Sequence, residues 1–152
     1  MKFSDQEKAL LREIQQDSAA SLATLADRVG MAQSTLWRKL QEFDAAGIVT
    51  ARVALLDPGK VGAKLCVFAT VSLQDHSEAS LAAFSRLIDR HPEILECHAI
   101  TGSADYMLKI HTADVESYEH FMTNALLRSD VVRAVHSSFS LKALKRTTSL
   151  PV

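Results

Sequence analysis

Between Leu22 and Val49 the chain reads LATLADRVGMAQSTLWRKLQEFDAAGIV, two short amphipathic patterns separated by a glycine. Leu22, Leu25, Ala26 and Val29 recur at i, i+3, i+4 and i+7, the spacing of one buried helical face. Ser21 stands in front as an N-cap. Gly30 follows the last apolar position, where a positive φ is least costly, and ends the first helix. The second pattern starts almost at once. Leu36, Leu40 and Phe43 share one side, while Gln33, Ser34, Trp37, Arg38 and Gln41 share the other until Gly47. Two helices braced across so short a turn predict a helix-turn-helix. The free face of the second, with its amide, hydroxyl, guanidinium and aromatic groups, suits insertion into the major groove of DNA. An αα-hairpin in an ordinary helical bundle has the same spacing, and Trp37 serves equally well as a packing residue.

Upstream, Ser4-Asp5-Gln6-Glu7 is a capping box, and Leu10, Leu11 and Ile14 give the following helix an apolar edge as far as about Asp17. This helix completes a three-helix head. After Gly47 the β-branched run Ile48 to Leu56 reads as a strand or wing, closed by the turn Asp57-Pro58-Gly59. From Lys64 the period changes from 3.6 to 2. Leu65, Val67, Ala69, Val71 and Leu73 alternate with Cys66, Phe68, Thr70 and Ser72 and predict a strand with one apolar face. Ser77 caps a helix that buries Leu81, Phe84, Leu87 and Ile88, and Pro92 ends it. Ile94 to Thr101 is the next strand, Gly102 to Asp105 a turn, and Tyr106 to Thr112 pairs back as a hairpin with Tyr106, Leu108 and Ile110 inward. Asp114 caps a helix with the stripe Tyr118, Phe121, Met122 and Ala125, and Val131 to Leu144 closes with a long strand. The order strand, helix, strand, strand, helix, strand is the split βαβ arrangement, a four-stranded antiparallel sheet with both helices on one face. Phe68, Met107 and Phe139 are expected on the other face, whose simplest cover is the same sheet of a second copy.

The whole-chain numbers restrict what such a head could bind. In 152 residues there is room for one domain or two small ones. A net charge of −1 excludes a polycationic coat protein, so nucleic-acid affinity must come from local placement of charge. No apolar run approaches the roughly 18 residues of a membrane span, and Met1 to Asp5 leads into a helix without a signal segment, so a cytoplasmic protein is expected. Cys66 and Cys97 stand alone in apolar runs and read as buried thiols. The six histidines show no ligand spacing, and no metal or cofactor is expected.

The stretches KALLREIQQDS, LATLADRVGMAQSTLWRKLQEFDAAGIV, VALLDPGKVG, TGSADYML and SSFSLKALKRTTSLPV, in this order, resemble the leucine-responsive and asparagine-operon regulators, the prokaryotic "feast or famine" transcription factors. The likeness runs over essentially the whole chain, and VALLDP, LECHAITGSADY and SSFSLK are most similar to the regulators of amino-acid catabolism. It implies an α+β protein: a winged helix-turn-helix over residues 1–56 and a ferredoxin-like βαββαβ effector domain over residues 57–152. It further implies a DNA operator as partner, an amino acid as effector, and homodimers that assemble into rings, with an octamer expected. Carried over by position, Gln33, Ser34, Thr35, Trp37, Arg38 and Lys39 fall on the DNA-reading helix. Thr101, Gly102, Ser103, Ala104, Asp105 and Tyr106 fall on the hairpin that borders the effector pocket. Two departures stand out. Ala32 occupies the position of the usual Ser or Thr cap, and Gln41 and Glu42 stand where basic residues are common.

At the hairpin, small residues beside Gly102 leave backbone N–H groups able to hold a carboxylate, and Asp105 could take the ammonium of the same amino acid. The same residues also make an ordinary tight turn. A different class of function is a small enzyme of the paired ferredoxin-like barrel type, with His98, His111 or His136 as acid or base. No catalytic residue is assigned, and such an enzyme would leave the helix-turn-helix idle.

Overall fold

The computed structural model describes residues 2–152; the reading that no leader precedes the first helix touches Met1, which lies outside the described residues. The chain divides into two compact units. One takes in the chain up to Ala54 together with Leu144–Val152, and the other is Leu55–Ala143.

The first unit is a three-helix head: α1 Asp5–Gln16, α2 Leu22–Val29 and α3 Gln33–Ala45. The capping box at Ser4 is formed on both sides, with Glu7 N donating to Ser4 Oγ at 3.2 Å and Ser4 N donating to Glu7 Oε2 at 2.8 Å. Ser21 caps α2 through the Thr24 N–H, and Gly30 ends it at φ +70°. Leu10, Leu11, Leu25, Ala26, Leu36 and Phe43 form the core. Leu22, expected in that core, is exposed because it opens the first turn of α2, where no neighbouring helix covers it. Val152 joins this core from the far end of the sequence.

The second unit has the order β1 Leu65–Leu73, α4 Glu78–Arg90, β2 Ile94–Ala99, β3 Tyr106–Thr112, α5 Val115–Phe121 and β4 Val132–Phe139, with a π turn at Met122–Leu126 extending α5. Its sheet is antiparallel in the order β2-β3-β1-β4. Val67, Ala69, Val71 and Leu73 of β1 meet Leu108 and Ile110 of β3 under Phe84 of α4 and Tyr118 and Phe121 of α5, as strand alternation dictates. Leu81, expected to be buried, is exposed, and Ser80 takes an inward place at the Ser77 cap.

Four expectations about the strands need correction. Ile48 to Leu56 forms no strand, since among the described residues no strand pairs with it; Val53, Leu55 and Leu56 are more than 60 % exposed. The strand Ile94 to Thr101 stops at Ala99, where the turn begins. The closing strand stops at Phe139 instead of Leu144, because the chain leaves the sheet at Ser140, whose N–H still donates to the Cys66 carbonyl. Phe139 lies on the helix-bearing face, not the open one: it pairs with inward Val67, and its ring stands edge-on to Tyr118 at 5.5 Å. The open face therefore carries Phe68 and Met107 as its exposed large apolar groups, with His98, Thr70 and His136 in register beside Met107. The two cysteines, expected to be buried, are only half-buried, and burial pushes the Cys97 thiol up.

Glu7 links the cap to the next layer. Its carboxylate accepts the Ser4 N–H and also holds Lys39 of α3 at 2.9 Å, and these two donors bring its pKa down from the ordinary 4.5 to about 2. A carboxyl with a lowered folded-state pKa contributes stability above its ordinary pKa and loses it as pH falls toward the folded value. The expected outcome for Glu7→Gln is a lower melting temperature than the parent at pH 7. The gap should close as the pH is taken from about 4.5 toward 2, which thermal melts of both proteins across that range will check.

Candidate nucleic-acid interface and ligand site

On α3 the apolar underside, Leu36 and Phe43, is buried, and the opposite side faces solvent. Gln33, Ser34, Thr35, Trp37 and Arg38 are all exposed, Trp37 at 54 %. An indole that could have filled the core stands outside it, so its position is not a packing requirement. Ala32 precedes the helix and supplies no side-chain cap, which leaves the first N–H groups of α3 without the partner a serine would give. Lys39 differs from the others. It is drawn down between Glu7 and Glu42, at 2.9 and 2.8 Å, and ties α3 to α1. Arg38 rests on Glu42 at 3.1 Å across one helical turn with most of its surface exposed, a contact of the kind that contributes little to stability.

The second candidate site is the β2–β3 connection. The Ile100 N–H donates to the Asp105 carbonyl at 2.9 Å and closes the loop, while Asp105 N donates to the Val71 carbonyl and joins it to β1. Thr101, Gly102 and Ser103 are exposed, and Gly102 sits at φ +119°, where a side chain would be strained. Ala104, Asp105 and Tyr106 are half-buried, and the Tyr106 ring lies 4.6 Å from Phe84 in the core. Asp105 is already engaged. Oδ2 accepts the Leu73 N–H at 2.7 Å and Oδ1 meets His76 Nε2 at 2.8 Å, and these two hold the carboxyl below its usual range, the Leu73 amide most strongly. His76, just before the Ser77 cap of α4, was not singled out by sequence. Nothing in the spacing of Leu73, His76 and Asp105 announces that a loop will fold one onto the other.

The histidines considered for catalysis do not converge. His111 is buried with Nδ1 on the Ala63 carbonyl at 2.8 Å, His98 lies 3.4 Å from Glu96, and His136 is exposed on β4. No group of His, Cys, Asp and Glu among the described residues could hold a metal ion.

Residues 3–50 match winged helix-turn-helix DNA-binding domains, and residues 66–150 match the Lrp/AsnC ligand binding domain. The chain is 33 % identical over 146 residues to the DNA-binding transcriptional activator DecR of Escherichia coli, covering 96 % of each. It is 30 % identical to the glutamate uptake regulatory protein of Zymomonas mobilis, over 99 % of this chain and 92 % of that one. Among solved structures, a transcriptional regulator of Neisseria meningitidis in complex with L-Met superposes with a TM-score of 0.95 at 33 % identity, covering 99 % of this chain and 97 % of that one.

The exposed face of α3 generates a direct test. Arg38→Ala should weaken binding to specific duplex DNA by about 1 to 3 kcal/mol if the guanidinium reads a base, with preference relaxed at one position. If it meets a phosphate, the loss should be uniform and the salt dependence shallower. Thr24→Ala, on α2, should change little. Gel shifts at two salt concentrations separate the cases, and unchanged binding in Arg38→Ala would mean that a different face of the head meets DNA.

Proposed function

We propose, from the premise that this chain belongs to the Lrp/AsnC family of transcriptional regulators, that α3 enters the major groove of an operator and that an amino acid held by the second unit sets the occupancy of that operator. The protein is a DNA-binding regulator and not an enzyme. The observation that carries the reading is α3 itself. One side is locked into a small core, and the other offers Gln33, Ser34, Thr35, Trp37 and Arg38 to solvent, as groove reading requires. Lys39 takes part by fixing the angle of α3 through Glu7.

The effector is an amino acid bound along Thr101, Gly102, Ser103, Ala104, Asp105 and Tyr106. A relative named for glutamate uptake and a similar structure holding L-Met support the class of effector without naming the compound. The turn around Gly102 presents main-chain N–H groups to the carboxylate. Asp105 Oδ2 keeps the end of β1 in place through Leu73, and Oδ1 takes the ammonium from the position where the exposed His76 imidazole now lies. The open sheet face, with Phe68 and Met107, and the exposed segment with Val53, Leu55 and Leu56 are covered by a second copy, and dimers join into a ring, an octamer, with the hairpins between them. Paired heads give two weak half-site contacts the strength of one bivalent contact, in the cytoplasm where the operator lies.

Asp105→Asn tests the effector site, since the amide keeps an acceptor for Leu73 and removes the charge. The expected outcome is intact fold and basal operator binding with at least about a tenfold loss of amino-acid affinity, the scale of a charge-assisted bond. Operator titrations in the presence of each of the twenty amino acids, on parent and variant, provide the measurement. A variant that responds as the parent does would leave Asp105 as a turn residue and send the effector elsewhere.

A further inference from the structure

The reading helix has little free positive charge. Up to Ala54 the chain carries seven Lys and Arg against seven Asp and Glu. Both cations of α3 are held by carboxylates of the same unit, Arg38 by Glu42, and Lys39 by Glu42 and Glu7. DNA affinity at ordinary salt comes largely from phosphates neutralised by Lys and Arg, and a head of zero net charge with paired cations supplies little of it.

The remainder of the same unit is the segment Leu144–Val152, which reads LKRTTSLPV. It is anchored on α1 by side chains that read its backbone. Gln15 Nε2 donates to the Leu150 carbonyl at 3.3 Å and Gln15 Oε1 accepts the Leu150 N–H at 2.6 Å, while Arg12 Nε donates to the main-chain oxygen of Val152 at 2.8 Å. The Val152 side chain packs onto the head core. Leu150 lies at Gln15 and Val152 at Arg12, so the segment runs antiparallel to α1. The residues before Leu150 therefore enter from the C-terminal side of α1, which ends at Gln16. Lys145 and Arg146 stand on that stretch, followed by Thr147, Thr148 and Ser149, all exposed. At roughly 3.3 Å per extended residue, Arg146 comes within about 13 Å of the Gln15 anchor. No acidic residue follows Asp130, so nothing within the segment neutralises the two cations, which raise the head from zero net charge to +2.

We propose that Leu144–Val152 is a second DNA-binding element, an arm clipped to α1 whose Lys145 and Arg146 hold backbone phosphates of double-stranded DNA beside the groove entered by α3. The helix that precedes the reading helix crosses the DNA backbone in this motif, and its N-terminus carries partial positive charge, so two further cations clipped to the same unit add to its pull on phosphate. The arm carries no base specificity. Its hydroxyls and cations match phosphate oxygens, which fix register and strength and not sequence.

The test uses the full chain and the double variant K145A/R146A, titrated on an operator duplex and on an unrelated duplex from about 50 to 200 mM salt. The slope of log affinity against log salt should become shallower by about two for each bound head, at roughly 0.9 per phosphate released. Affinity should fall by tenfold or more on both duplexes with their ratio unchanged. The charge-preserving K145R/R146K should restore the slope, and Gln15→Ala, which releases the anchor and keeps the charge, should weaken both duplexes by a smaller factor. An unchanged slope in K145A/R146A overturns the proposal, and so does a loss confined to the operator. A lowered melting temperature with parental DNA binding would likewise overturn it and make the segment a structural strap. The proposal rests on α3 as the reading helix, and the two fail differently: if that assignment is wrong, Arg38→Ala leaves operator binding unchanged, whatever the arm does to the slope.

Discussion

A domain of some sixty residues buries only about 60 % of the surface that its unfolded chain exposes, and the head of this protein works under that shortage. The head closes six buried residues under three short helices. Its core is completed from outside the three helices, by Phe3, Met31, Ile48 and Val49 and by Val152 brought back from the far end of the chain. The sheet unit is larger and has its helices on one side only, so Phe68 and Met107 are left facing water. The returning tail adds buried area to a small core, and the apolar open face is what a sheet with helices on one side leaves over.

The two candidate sites lie where this packing is firmest beneath and barest above. α3 is held by Leu36 and Phe43 from below and by the Glu7–Lys39 pair at its flank, so its outer side chains are presented by a body that does not need them for stability. The β2–β3 loop is held by Asp105, which bonds β1 at Leu73 and Val71, while Thr101 to Ser103 stay in water. In both places the groups left free are those that chemistry with a partner would use.

Much of this was readable in advance, and what was not has identifiable causes. The helices and β1 announce themselves because burial repeats with their own period, and Ser4, Ser21, Ser77 and Asp114 mark starts through local hydrogen bonds that need no tertiary information. Phe139 was misplaced because the alternation in VRAVHSSF is weak, and its face is decided by pairing with Val67 on another strand. The Ile48–Leu56 run has the composition of a strand but no neighbour to bond, and composition cannot supply one. His76 at Asp105 and Leu150 at Gln15 are contacts between distant loops and tails, where no periodicity exists to be read.

The placement of Leu144–Val152 also means that the head is discontinuous in sequence, with the sheet unit inserted between its two parts. Synthesis proceeds from the N-terminus, and domains generally fold as they emerge. Here the three helices are made first, yet they must wait for the whole of Leu55–Ala143 to be translated before Val152 reaches their core and Leu150 reaches Gln15. A nascent chain therefore holds an unfinished head while its sheet unit is being completed, and the DNA-reading part is sealed after it. In a chain made in this order the DNA-binding domain receives Val152 only after the ligand binding domain that lies before it in sequence has been translated.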